Sequence, residues 1–205
     1  MNTPTIGLVD DDPGVLLSLE RLLRGRGYRV RAFTSAEDFL TGYREAGLDC
    51  VVLDLAMPGQ GGLEVQAELT RSCAALPVLF LSGEGDIPST VKAVKGGAVN
   101  FLTKPADAGD LLNALRLALI ESSRHQTEEK EFAELRKRFE KLSSREREIL
   151  CHVIAGKLNK QIAVDLGISE QTVKIHRMRI TEKTGLPSVA ELVRATVHLD
   201  IRPAV

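Results

Sequence analysis

The sequence predicts an α/β protein: a doubly wound, five-stranded parallel sheet, followed by a helical linker and a small all-α domain of four helices. Between residues 5 and 121, five apolar strand-like runs alternate with segments of helical period, which is typical of strand–helix–strand units. Beyond residue 138 only segments of helical period follow. The 205 residues, 43% of them hydrophobic, suffice for two buried cores. We place the domains at 1–121 and 138–205, with the linker at 122–137.

The first three strands are separated by two helices. The first strand is predicted at 5–9, and Pro13 begins the first helix because proline fits an initial helical turn. A second strand is predicted at 28–33, and Ser35 is positioned to cap the second helix. The third strand, 50–54, is a β-branched and aliphatic run that ends in a carboxylate, as expected of a strand buried on both faces.

Glycine pairs mark the elements that follow. A helix is predicted after Gly61-Gly62, and a buried strand follows at 77–82. The next helix, 86–95, stops at Gly96-Gly97, and the fifth strand is predicted at 99–105, with Lys104 at its end. Asp107 then begins a long helix.

Polar residues follow four of the five strands. The first strand ends in Asp10, Asp11 and Asp12, and the third, fourth and fifth end in Asp54, Ser82 and Lys104. Any one of these could be an ordinary solvated group at a strand end. Because ligands of open parallel sheets bind beyond the carboxyl ends of the strands, the four together predict one site.

The residue types in this site indicate phosphoryl chemistry. Several carboxylates in one crevice repel each other unless a cation neutralises them, and hard oxygen ligands suit Mg²⁺. Asp54 would then be a nucleophile toward a phosphoryl group. Lys104 would hold the phosphoryl oxygens as a point charge, and Ser82 would hold them as a hydrogen-bond donor.

These segments resemble the receiver domain of two-component response regulators. The resemblance is carried by 9–12, Leu53-Asp54 with Met57-Pro58-Gly59, Leu81-Ser82-Gly83 and 101–105, and the run 82–88 is similar to the FixJ-like branch. It implies that Asp54 accepts the phosphoryl group from a sensor histidine kinase.

The same resemblance assigns the metal ligands and the switch. Mg²⁺ would be bound by Asp11 and Asp54, by Asp10 through water, and by the carbonyl of Ala56. A share for Asp12 is left open. Ser82 and Phe101 would change position on phosphorylation, and the bond between Lys104 and Pro105 is a candidate cis peptide.

The linker is strongly charged but carries one apolar stripe. Phe132, Leu135, Phe139 and Leu142 step by three, four and three residues, which places them on one face of a continuous helix. This stripe is either a short coiled-coil seam between two subunits or a surface that packs on the next domain. We favour the second because the stripe is shorter than the three or four heptads typical of coiled coils.

The final domain is predicted to be a helix-turn-helix. Ser143 and Glu146 form a capping-box pattern before a helix that ends at Gly156. A helix at 159–166 is followed by the turn at Gly167, and Ser169 caps the next helix. A generic helical hairpin is the alternative, but it would not need this spacing.

The helix after Ser169 is predicted to contact DNA. Lys174, Arg177 and Arg179 are cations on a helix whose other face holds Val173 and Ile180. Lys160, at the start of the preceding helix, is a predicted phosphate contact.

This half resembles the LuxR-type DNA-binding domain of NarL/FixJ regulators. The motifs are 142–150, Gly156 with 159–163, and 172–176. The resemblance adds Thr172 and Ile175 to the predicted DNA-binding residues and implies that the last helix, 188–199, supports dimerisation. Met178 departs from the pattern, because some relatives carry a lysine there that faces DNA.

Composition limits the class of protein. The net charge is -1, yet residues 140–205 hold eleven Lys and Arg against eight Asp and Glu, an excess of positive charge that suits a polyanionic partner. Three dispersed cysteines, Cys50, Cys73 and Cys151, predict neither a disulfide framework nor a zinc site. No apolar run is long enough to span a bilayer, and the first residues lack a signal-peptide pattern. We expect a cytoplasmic protein that is neither secreted nor membrane-inserted.

Together these features predict a phosphorylation-gated transcription factor that uses Mg²⁺. Its partners would be a sensor histidine kinase, double-stranded DNA and a second copy of itself. Dimerisation would use the face near the fourth helix, with the first and fifth helices as the alternative. The protein would be no enzyme beyond its own phosphoryl transfer and dephosphorylation. The alternatives are a constitutive DNA-binding protein whose receiver is only a dimer module, and an aspartyl-phosphate phosphohydrolase, which would need a cap insertion.

Overall fold

The computed structural model describes residues 3–72, 75–83 and 87–204. Cys73 and the predicted helix start at Asp86 lie outside these ranges. The chain divides into two compact units, Met1–Gln126 and Thr127–Val205.

The first unit contains the predicted parallel sheet, which confirms the fold class. Its strands are β1 (Thr5–Val9), β2 (Arg29–Phe33), β3 (Cys50–Asp54), β4 (Val78–Ser82) and β5 (Asn100–Thr103). They are all parallel, in the order β2-β1-β3-β4-β5. The helices between them are α1 (Pro13–Gly25), α2 (Ala36–Ala46), α3 (Gly62–Arg71) and α4 (Ile87–Lys95), and α5 (Ala108–Glu140) follows β5.

Helices cover both faces of this sheet. On one face, strand residues such as Leu8 and Leu79 pack with Leu23 of α1 and Leu115 of α5. On the other face, their strand neighbours, such as Phe80, pack with buried residues of α2, α3 and α4. Since side chains alternate across a strand, this two-sided burial accounts for the nearly continuous apolar runs of β1, β3 and β4.

The second unit is helical. It contains the last part of α5 and the helices α6 (Ser144–Ile154), α7 (Asn159–Leu166), α8 (Glu170–Thr184) and α9 (Val189–His198). Its core comprises Phe139, Leu142, Ile149, Leu150, Val153, Ile162, Ala163, Val173, Ile180, Leu192 and Ala195. The predicted capping box forms between Ser143 and Glu146 at the start of α6.

The apolar stripe of the linker packs inside this second unit. Phe139 and Leu142 are buried, Leu135 packs against the same core, and the ring of Phe132 lies 4.8 Å from that of His198. These contacts support packing on the following domain over a coiled-coil seam. Residues 122–137 are helical throughout, as part of the single helix α5.

Two further findings bear on the composition. Cys50 and Cys151 are free thiols. Burial raises the pKa of the Cys50 thiol far above its ordinary value. In the described part of the chain, no helix is both long enough and apolar enough to cross a membrane.

Candidate phosphorylation site and helix-turn-helix surface

The strand ends bring three predicted residues into direct contact. Lys104 Nζ lies 2.6 Å from Asp10 Oδ2 and 2.9 Å from Asp54 Oδ1. Asp10 is only 3% exposed and Asp54 5% exposed. The ammonium group therefore bridges two buried carboxylates that follow or end neighbouring strands.

Asp11 completes an acidic cluster with Asp10 and Asp54. One carboxylate oxygen from each residue lies within 4.8 Å of the others. Asp11 is exposed, so the cluster opens toward solvent. Three hard oxygen donors beside open space fit a small divalent cation that keeps several water ligands. Ala56, the predicted carbonyl ligand, lies in the exposed loop two residues after Asp54.

Asp12 has a different role in the acidic triplet. Its Oδ1 accepts hydrogen bonds from the backbone N–H groups of Gly14, at 2.7 Å, and Val15, at 3.4 Å. It is therefore the N-cap of α1. This side chain holds the start of the helix, and it is not among the three carboxylates of the acidic cluster.

Burial and charge act in opposite directions on the two central groups. Burial raises the pKa of the Asp54 carboxyl, the contact with Lys104 opposes this rise, and the nearby charge of Asp10 adds to it. For Lys104, burial opposes the charged form, but the hydrogen bonds to Asp10 and Asp54 prevail and raise the pKa of the amine. The site is thus short of positive charge, and a bound cation would favour the ionised form of Asp54.

Gly62 is required for the backbone around Asp54, a role that the sequence reasoning missed. A Cβ atom at this position would lie 2.3 Å from the carbonyl oxygen of Asp54 and 2.8 Å from Cε1 of Phe80. Its N–H also donates to the carbonyl of Leu55, at 3.0 Å. A glycine pair directly after the Pro/Gly loop was the available signal.

The two predicted switch residues lie on the paired strands β4 and β5. Ser82 is buried at the end of β4, and its carbonyl accepts from the N–H of Lys104, at 2.6 Å. Phe101 is half-buried on β5, with its ring 6.2 Å from that of Phe80. The peptide bond between Lys104 and Pro105 is cis.

In the second unit, α7, a turn and α8 form the predicted helix-turn-helix. Gly167 ends α7 with φ of 63°, in the left-handed region that glycine adopts most easily. Ser169 caps α8 by accepting from the N–H of Thr172, at 3.1 Å. Arg145 of α6 donates to the carbonyl of Leu166, at 2.9 Å, and so holds the end of α7.

The predicted DNA-binding residues fall into two groups. Lys160, Lys174, Ile175 and Arg179 are exposed. Thr172 is half-buried, with its hydroxyl 2.8 Å from that of Ser169.

Arg177 is also half-buried, and its Nη1 donates to Oδ1 of Asn159, at 2.9 Å. Asn159 was not predicted as a partner of Arg177, because the two residues are 18 positions apart. No spacing pattern within one helix reveals such a contact.

Comparisons with known proteins agree with both halves. Residues 6–116 match the response regulator receiver domain, and residues 140–196 match the luxR family of bacterial regulatory proteins. The chain is 44% identical to the response regulator protein TmoT of Ectopseudomonas mendocina, over 95% of this chain and 88% of that protein. It is 39% identical to the transcriptional regulatory protein FixJ of Azorhizobium caulinodans, over 97% and 94%.

The fold is also similar to that of a solved response regulator. The structure of the response regulator StyR aligns with a TM-score of 0.74 at 40% identity, covering 96% of this chain and 99% of that one. With the receiver match spanning more than half of the chain, the family is established. The chain belongs to the two-component response regulators and is a transcriptional regulator that joins a receiver domain to a LuxR-type DNA-binding domain.

Proposed function

We propose that Asp54 is the phosphoryl acceptor of this regulator and that its modification controls dimerisation and operator binding by the second unit. The observation that carries the proposal is the bridge of Lys104 between Asp10 and Asp54 at the edge of the sheet. A buried carboxylate, a fixed cation and an adjacent acidic cluster are the parts that phosphoryl transfer to a carboxylate needs.

The donor would be a phosphohistidine of a sensor histidine kinase. An oxygen of Asp54 attacks the phosphorus, the bond from phosphorus to the imidazole nitrogen breaks, and the imidazole leaves and takes up a proton. Lys104 is already hydrogen-bonded to Asp54, and its ammonium group would pair with the negative charge of the transferred phosphoryl group. Ser82, at the end of the adjacent strand, supplies a hydroxyl donor. The receiver thus promotes only its own phosphoryl transfer and hydrolysis.

Asp10, Asp11 and Asp54 are the side chains that would hold Mg²⁺, with the carbonyl of Ala56 as a further ligand. When bound, Mg²⁺ neutralises the carboxylates and the phosphoryl oxygens. Two neighbouring residues help to position the carboxylates. Asp12, the residue after Asp11, caps α1, and the absence of a side chain at Gly62 leaves room for the backbone of Asp54.

Two exposed apolar stripes support dimerisation. Ile87, Val91 and Val94 lie on one side of α4, close in the fold to the predicted switch residue Phe101 on β5. On α9, Val189, Val193 and Val197 recur every four residues and are exposed. Burial of such stripes against a second copy would remove apolar surface from water in both units.

DNA is the second partner. The exposed cations Lys160, Lys174 and Arg179 suit the phosphate backbone and the major groove. Thr172 and Ile175 on the same helix complete the proposed contact, and Arg177 supports it through α7. A cytoplasmic location follows from this proposal, because both the kinase and the operator must be accessible.

Treatment with acetyl phosphate and Mg²⁺ tests the proposal on the full chain. We expect the mass increase of one phosphoryl group on the unmodified protein and none on Asp54→Asn, whose fold should persist because the two side chains have nearly the same size. Oligomeric state and affinity for a selected operator are then measured on the same samples, and both should increase only when the adduct forms.

Each other outcome favours a different function. The absence of an adduct on Asp54 would refute the phosphoryl-acceptor role. An adduct without a change in affinity would favour a constitutive DNA-binding protein whose receiver only dimerises. Rapid turnover of small phosphate esters would favour a phosphohydrolase.

A further inference from the structure

Helix α8 exposes two large apolar side chains. Met178 is 55% exposed and Ile175 is 38% exposed, whereas Val173 and Ile180 on the same helix are buried in the core. Helix α8 packs on α6 and α7, and these two side chains remain exposed on its surface. Exposed apolar groups beside a row of cations need a specific explanation.

Met178 shares its face with the proposed DNA contacts. It follows Lys174 by four residues and Ile175 by three, so its side chain lies about 40° from the first and about 60° from the second around the helix axis. Arg179 is the next residue and is also exposed. A surface that presents Met178 therefore presents these cations as well.

The positive charge of this face indicates which kind of ligand it binds. Lys174, Arg179 and, on α7, Lys160 suit a polyanion, and an α-helix fits the major groove of B-DNA. The base edges in that groove are polar apart from one group, the 5-methyl group of thymine. An apolar side chain that enters the groove is therefore complementary to thymine.

We propose that Met178, together with Ile175, reads the 5-methyl groups of thymines and so determines part of the operator sequence. Lys174 lies beside Met178 on the same exposed face and keeps the neighbouring polar contacts. Relatives with lysine at this position would make a polar contact there. Met178 is thus a specificity-determining residue of this chain, an inference that rests on the DNA binding proposed above.

The test uses deoxyuridine, which differs from thymidine only by this methyl group. The full chain, treated with acetyl phosphate and Mg²⁺, first selects duplexes from a random pool, and each thymine of a selected half-site is then replaced by uracil. At one or two positions we expect the affinity to fall about fourfold per half-site, which corresponds to roughly 0.8 kcal/mol for one buried methyl group.

Three variants identify the residue that reads the methyl group. Met178→Ala should bind the thymine and uracil duplexes equally at one of these positions, and Met178→Leu should restore the preference for thymine. Val164→Ala removes a comparably exposed side chain from α7 and should keep the full preference.

Two results would overturn the inference while leaving DNA binding intact. One is a preference for thymine that Met178→Ala retains at every position, and the other is a half-site in which no thymine responds to uracil. If the full chain selects no duplex at all, the proposed DNA binding fails, and the reading of thymine fails with it.

Discussion

Replacing Glu146 by glutamine tests the polar contact that joins α6 to α8. Oε2 of Glu146 accepts from the N–H of Ser143 and from Lys183 Nζ, both at 2.7 Å. The residue is 2% exposed. Burial alone would raise its pKa, but the contacts with Lys183 and Ser143 prevail and lower it from 4.5 to about 2.

This difference sets the magnitude and the pH range. A carboxyl whose pKa falls from 4.5 to about 2 on folding contributes about 3 kcal/mol at neutral pH. We take this as an upper value, since the side chain of Lys183 is 37% exposed and solvent screens its charge. Because the folded pKa is depressed, the contribution is complete above pH 4.5 and is lost as the pH falls toward 2. About 2 kcal/mol should be lost by pH 3.

Hydrogen exchange is the suitable assay because it resolves the two units. The chain has no tryptophan, and both tyrosines, Tyr28 and Tyr43, lie in the first unit, so intrinsic fluorescence does not report on the second. Protection of peptides from α6 and α8, corrected for the intrinsic exchange rate, gives the opening free energy between pH 7 and pH 3.

The variant should be less stable than the unmodified protein at pH 7, and the difference should shrink by about 2 kcal/mol at pH 3. Glu182→Gln, which removes an exposed carboxylate from α8, controls for the general loss of negative charge. Parallel pH profiles for the unmodified protein and Glu146→Gln would refute the reasoning.

Two further predictions concern the first unit. Gly62→Ala should destabilise it by about 1–3 kcal/mol and slow phosphorylation of Asp54, because the new methyl group has no space. Gly25→Ala is the control, because a Cβ there meets nothing within 4 Å, and it should instead stabilise the first unit by about 0.4–1 kcal/mol. Urea unfolding followed by tyrosine fluorescence measures the stability of both variants. Equal effects of the two substitutions would contradict the steric argument. Asp49→Ala removes the acceptor of Thr5 N–H, at 2.8 Å, and of Gln126, at 3.0 Å, and should speed exchange in the segment of α5 near residue 126. Asp49→Asn keeps one acceptor oxygen and should accelerate this hydrogen exchange less.

The strand ends could be predicted because parallel topology leaves them little freedom. Once the apolar runs are parallel strands, Asp10, Asp54 and Lys104 must lie at the same edge, and the structure places them in contact. The separate roles of neighbouring residues at these strand ends were not predictable. Asp11 and Asp12 are adjacent acidic residues, yet one faces the acidic cluster and the other caps α1, because the direction in which α1 leaves the strand decides between them.

The same limit applies to the cations of α8. Lys174 and Arg177 are three residues apart, which rotates them by only about 60° around the helix axis. That rotation brings Arg177 to the side facing α7, where Asn159 accepts its hydrogen bond, while Lys174 stays exposed. Helical spacing predicts which residues share a face, and the crossing of α7 and α8 decides which residue at the edge of that face meets the neighbouring helix. Within the proposed DNA contact, Arg177 is therefore a positioning residue, because it ties α8 to the start of α7, next to Lys160.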